Sequence, residues 1–144
     1  MRIWRDAVVD MTALTALQSE SMGGWLGVEF TGLGDDWLRA RMPVDHRTKQ
    51  PFGRLHGGAS VALAETVASA AANLTLDPGE SIAVGLEINA NHLRPVMDGF
   101  VHATASAEAL GRTTQVWSIR ITDDAGRLVC LSRFTVAVIP ATRA

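Results

Sequence analysis

The chain has 144 residues, 47% of them hydrophobic and 19% charged, with a formal charge of -2. That is enough apolar material to build a core at the commonest domain size, which excludes a disordered chain. Basic residues are scattered singly and outnumbered by acidic ones, so nucleic acid is not an expected partner.

From Val8 to Gln18 the apolar residues Val8, Met11, Leu14 and Leu17 recur at spacings near three, which predicts a short amphipathic helix ended by Gly23-Gly24. Two strands are expected at Leu26 to Thr31 and Trp37 to Val44, with the Gly- and Asp-rich Gly32 to Asp36 turning between them. A polar loop, Asp45 to Leu55, leads into Gly58 to Leu76, which is rich in Ala, Val and Leu and closes at Asp77-Pro78-Gly79. It predicts a buried helix of about 18 residues, roughly 27 Å long. The glutamate, histidine and glycines around it rule out a membrane span.

Beyond it, Ile82, Val84, Leu86 and Ile88 alternate with Ala83, Gly85, Glu87 and Asn89 as a period-two strand. Further strands are expected at Gly99 to Ala109, Thr113 to Thr122 and Arg127 to Ile139, with a hairpin turn at Asp123 to Gly126. One long apolar helix needs a sheet to cover it, so the chain reads as one α+β domain over residues 1–144, a six-stranded antiparallel sheet wrapped around that helix. The lone Cys130 forms no internal disulfide, and Met1 to Asp10 has no secretory pattern, so the cytoplasm is the expected compartment.

Glu65 is the only charged residue between Arg54 and Asp77. With Ser69 and Asn73 at i+4 and i+8 it forms one polar line on an apolar helix. A solvent-facing slot is the bland alternative, but such faces carry several charges. A lone carboxylate against apolar walls is a candidate base or nucleophile. Just upstream, His56-Gly57-Gly58 opens the helix. Glycine lets backbone approach a ligand, and first-turn N–H groups at the positive dipole end can hold an oxyanion. A tight helix entry is the plainer reading of the same pair.

No histidine pair and no Cys or acid cluster makes a zinc set, so neither metal nor cofactor is expected. His92, in Asn89-Ala90-Asn91-His92, suits a site rim, whereas His102 reads as an ordinary strand residue. There is no Gly-x-Ser-x-Gly elbow, and Cys130 lies in an apolar strand pattern as a core thiol.

The run Met42 to Ser60, with Ala64-Glu65, Gly85 to His92, Gly111-Arg112, Gln115 to Trp117 and Gly126 to Leu128, resembles the hotdog-fold acyl-CoA thioesterases over nearly the whole chain. It is most similar to the phenylacetate-type and 1,4-dihydroxy-2-naphthoyl-CoA thioesterase branch. A sister branch clears mischarged aryl carriers, and the Arthrobacter-type 4-hydroxybenzoyl-CoA thioesterase shares the glutamate.

The resemblance implies a homodimer with active sites across the interface, usually a dimer of dimers, acting on acyl-CoA. It assigns Gln50, His56 and Gly57 to one subunit and Glu65 and Ser69 to the other. In that scheme the Gly57 N–H polarises the thioester carbonyl, Gln50 and His56 orient it, Glu65 attacks or activates water, and Ser69 positions the water. The CoA arm is implied at Gly85, at His92, Leu93, Arg94 and Pro95, and at Ala109, Gly111, Arg112, Thr113 and Thr114. Arg94 and Arg112 would meet phosphates. The chain has no tyrosine, a departure from relatives that read an aromatic substrate with a phenol.

Two other functions compete. Hotdog hydratases and dehydratases also place an acid on the central helix, but their histidine stands in a different motif. An acyl-CoA sensor of this fold would carry an appended DNA-binding domain, for which the residues before Gly23 are too few.

Overall fold

The computed structural model describes residues 1–143. Six segments of alternating burial form one antiparallel sheet: β1 (Glu29–Leu33), β2 (Trp37–Pro43), β3 (Ser81–His92), β4 (Phe100–Leu110), β5 (Thr114–Asp123) and β6 (Leu128–Pro140). Their order across the sheet is β1-β2-β4-β5-β6-β3. The long helix α3 (Gly57–Leu74) lies against one face, burying Leu63, Ala64, Val67, Ala68, Ala71 and Ala72. Its many alanines let the sheet come close. Leu38, Val101, Trp117, Ile119, Ile121, Phe134 and Val136 fill the space on the strand side.

Before the sheet come two short helices, α1 (Met11–Ala16) and α2 (Met22–Trp25). The helix expected over Val8 to Gln18 is thus shorter at both ends, because the Asp10 carboxylate accepts the Thr12 and Ala13 N–H groups and fixes the start. Gly23-Gly24 does not end that helix but lies inside α2. β1 starts three residues later than expected and takes in Gly32, assigned above to the turn, through a register shift between Phe30 and Gly32. The extended N-terminal segment is also part of the core. Trp4 is buried, stacks on Trp117 at 6.3 Å, and donates its ring N–H to the Gly34 carbonyl at 2.6 Å.

The alternation in β3 breaks in the middle. Gly85 pairs with Val136 and Glu87 with Thr135, leaving Leu86 as an unmatched residue. Ala83 and Gly85 therefore face the helix, and after the bulge Ile88 and Ala90 do. Val84 and Leu86, expected to share a face with Ile88, are exposed. β3 is hydrogen-bonded along one edge only, to β6, among the described residues.

The Asp123 to Gly126 hairpin turn forms as expected. The buried Asp123 carboxylate accepts the Ala125 and Arg127 N–H groups and the Arg127 guanidinium. Those contacts, the Arg127 backbone N–H first, hold its carboxyl below the usual aspartate value. A carboxyl whose value is depressed on folding contributes stability that is complete above the unfolded value near pH 4 and lost as pH falls through the folded one. Asp123→Asn is therefore expected to lower the thermal midpoint at pH 7. Melts repeated at lower pH should show the gap to the native chain closing below about pH 4. A gap that stays constant with pH would show that the charge is not what stabilises this turn.

Candidate active site

The N-terminus of α3 is built by its cap. His56 has extended backbone (φ -68°, ψ 130°), and its Nδ1 accepts the Gly58 N–H at 2.8 Å. Its carbonyl accepts the Ala59 and Ser60 N–H groups. Of the four first-turn donors, only the Gly57 N–H has no acceptor among the described residues. The accepting Nδ1 leaves the neutral ring's proton on Nε2.

Gly57 opens on a cleft of about 400 Å3 that it shares with Gln50, Ser60, His92, Leu93, Arg94 and Pro95. A side chain at Gly57 would begin 2.8 Å from His92 Nε2, so glycine keeps both the cleft and the donor open. The Gln50 side-chain oxygen Oε1 accepts the Phe52 N–H. The side-chain Nε2 of Gln50 has no partner among the described residues.

Glu65 lies eight residues further along α3, roughly 12 Å from Gly57 along the axis, and is half-buried. Its carboxylate reaches the edge strand, where a side chain at Gly85 would begin 3.0 Å from Glu65 Oε1 and 3.0 Å from the Phe134 ring. One turn on, Ser69 is half-buried and its hydroxyl is unpartnered among the described residues. It lines a separate, mostly apolar groove of about 610 Å3 with Leu14, Leu17, Met22, Thr66 and Ala70.

Asn73, the third member of the line, has a different task. Its carbonyl oxygen accepts the Ala83 N–H at 2.9 Å, and its amide donates to the Ala83 and Ser69 carbonyls at 3.3 and 2.9 Å. It bolts the helix to β3 below the carboxylate. Asn73→Ala should cost about 1–3 kcal/mol, since backbone groups of β3 lose their partner. Urea denaturation measures this directly, and an unchanged midpoint would remove Asn73 from this role.

Within one chain the expected residues fall into two sets. Gln50, Gly57 and His92 to Pro95 share the first cleft, next to the His56 cap. Glu65, Ser69 and Gly85 lie apart from it. The Ala109 to Thr114 segment forms the β4–β5 turn, closed by the Gly111 N–H on the Thr114 carbonyl. Leu110 pairs with Gln115, Gln115 with Val136, and Val136 with Gly85, so this turn stands at the Gly85 end of the sheet. His92 is seven residues further along β3, roughly 23 Å away. The groove beside Ser69 and the position of Arg54 in the first cleft were not legible in the sequence, because loop and N-terminal residues were brought there only by folding.

The family model for the thioesterase superfamily matches residues 52–130, more than half of the chain. The chain belongs to the thioesterase superfamily. It is a thioester hydrolase of the hotdog fold. A 1,4-dihydroxy-2-naphthoyl-CoA hydrolase of Escherichia coli K12 is 50% identical over 95% of this chain and 99% of its own. A proofreading thioesterase EntH of Cronobacter turicensis is 48% identical over 95% of this chain and 98% of its own. The crystal structure of a Pseudomonas aeruginosa thioesterase carrying a Gln→Ala substitution superimposes with a TM-score of 0.94 at 50% identity, covering 96% of this chain and 99% of that one.

On the outer face of this thioesterase's sheet, His102 is not the unremarkable strand residue expected. Its Nε2 lies 2.7 Å from the Asp124 carboxylate, which also accepts the Phe100 N–H. The two contacts, His102 first, hold the Asp124 carboxyl below its ordinary value and tie the β5–β6 turn to β4. Cys130 is buried, and burial pushes its thiol up. Among the described residues no helix is long and apolar enough to cross a membrane.

Proposed function

We propose that this thioesterase hydrolyses aryl-CoA thioesters to the free acid and CoA, in sites shared between two subunits. The observation that carries the proposal is the Gly57 N–H, the one first-turn donor of α3 left without an acceptor, facing a cleft that also holds the Gln50 amide. A thioester carbonyl placed there gains a hydrogen bond that strengthens as the oxygen becomes an oxyanion. Gln50 and the Nε2–H of His56 orient it. Glu65 then attacks the carbonyl carbon or takes a proton from the attacking water, with the Ser69 hydroxyl positioning that water. The tetrahedral intermediate collapses by releasing the CoA thiolate; where Glu65 is the attacking group, water then hydrolyses the resulting mixed anhydride to the free acid and restores the carboxylate.

The separation of the two residue sets supports a shared site. β3 has a free edge among the described residues and carries exposed Val84 and Leu86. Two copies of β3 paired antiparallel about its middle would bring the His92 end of one beside the Gly85 end of the other. The Gln50–Gly57 cleft of one subunit would then face Glu65 of its partner, beside the partner's Ala109 to Thr114 turn. The groove along Ser69, walled by Leu14, Leu17, Met22 and Ala70, is the space left for the acyl group. The branch resemblance extends the proposal to a dimer of dimers in the cytoplasm.

A free-thiol assay over a panel of aryl- and fatty acyl-CoAs tests the substrate class. At least one aryl-CoA should be turned over with the highest kcat/KM of the panel. A uniform preference for fatty acyl-CoAs would overturn the aryl assignment.

A further inference from the structure

The cleft at Gly57 contains a charged residue for which the proposed mechanism has no use. Arg54 lines it together with Arg94, and no carboxylate lines it at all. Neither arginine makes an ion pair among the described residues, whereas Arg5, Arg41, Arg47 and Arg127 all do. Arg39 and Arg120 are also without an ion pair among the described residues and share another hollow, but Asp123 and Asp124 line that one too, whereas no acid offsets the two guanidiniums at Gly57.

Their placement is fixed by backbone rather than by chance. The Leu55 N–H donates to the Val96 carbonyl at 2.8 Å, locking the residue after Arg54 beside the segment that carries Arg94. On the other side, the Gln50 N–H donates to the Arg54 carbonyl at 2.8 Å, and Lys49 and Leu55 bridge antiparallel. Arg54 therefore rides on the same closed loop as Gln50, within the cleft that holds the oxyanion donor. A group bound by Arg54 lies in the same cleft as the Gly57 N–H.

We propose that Arg54 is a phosphate-binding specificity residue, which with Arg94 forms a two-guanidinium clamp for a phosphate of the pantetheine-bearing leaving group. A guanidinium fork matches phosphate oxygens bidentately, and an exposed pair holds a dianion better than either arginine alone. The clamp is remote from the scissile bond and binds ground and transition states alike, so it acts on KM and leaves the chemical step to Gly57 and Glu65. The proposal rests on the thioesterase reading of the cleft and adds the arm of substrate the cleft selects.

The test compares one aryl group presented on CoA, on pantetheine 4′-phosphate and on N-acetylcysteamine, which lacks phosphate. In Arg54→Gln the ratio of kcat/KM for the CoA thioester to that for the N-acetylcysteamine thioester should fall about tenfold, through KM, with Arg54→Lys falling less. Raising the salt concentration should erode the native preference in the same direction. A matching loss on pantetheine 4′-phosphate assigns the clamp to the pantetheine phosphate, and a loss confined to CoA assigns it to the nucleotide; both bear the proposal out. An unchanged ratio in Arg54→Gln overturns it. Failure of the native protein to cleave any of the three would instead overturn the function proposed above.

Discussion

Replacing Glu65 with alanine is expected to lower kcat for an aryl-CoA by about 10²-fold or more, the scale of a lost acid–base or nucleophilic group. The carboxylate is the only charged side chain on α3, and it lies against a strand residue with no side chain to obstruct it. The Gly57 donor and the Gln50 cleft are untouched by the change, so KM should move far less than kcat. Alanine is a good helix former, and Glu65 makes no ion pair or side-chain hydrogen bond among the described residues. The variant should consequently fold, which its melting curve checks. A folded Glu65→Ala protein with a rate within a few-fold of the native one would sink the mechanism.

Mixing two inactive variants should restore activity. In a dimer with shared sites, Gln50→Ala damages one half of each site and Glu65→Ala the other. A hybrid holds one site with both lesions and one with neither. Random exchange makes half of the dimers hybrids, so recovery of about a quarter of native activity is the ceiling. Refolding the two variants together, with mass spectrometry to confirm that hybrids form, gives the measurement. Hybrids without activity would place Gln50 and Glu65 in the same subunit's site, against the separation seen in the fold.

Much of this arrangement was legible in local sequence. The stretch from Gly57 to Leu74 is helical because it lacks proline and is rich in Ala and Leu, and Glu65 stands out there as a single charge. The limits of β4, β5 and β6 fall within about a residue of expectation, since alternation over ten or more residues is a strong signal, whereas β3 runs on to His92, beyond the alternating run ending at Asn89. The short N-terminal helix was read too long, because Val8 and Leu17 fit the spacing yet neither is buried. Asn73 reads as the third member of a polar line because its spacing from Glu65 is right. Only the position of Ala83 shows that it serves the backbone instead.

The sequence by itself determined the helix, its His56-Gly57-Gly58 entry, the lone carboxylate and six strands of the right kind. Tertiary structure decided where those pieces meet. That β3 ends at the sheet edge beside β6 depends on hydrogen bonds between residues about 50 apart, which no local period encodes. The bulge at Leu86 reverses which side of β3 faces the helix, and so sets Gly85 against Glu65. Folding also put Gly57 and Ser69 on different clefts of one molecule and left Glu65 outside the Gly57 cleft, because residues eight apart on a helix are separated by more than two turns. Within one chain the Glu65 carboxylate and the Gly57 N–H stand roughly 12 Å apart along the axis of α3, and that separation is why the site proposed above takes one group from each of two copies.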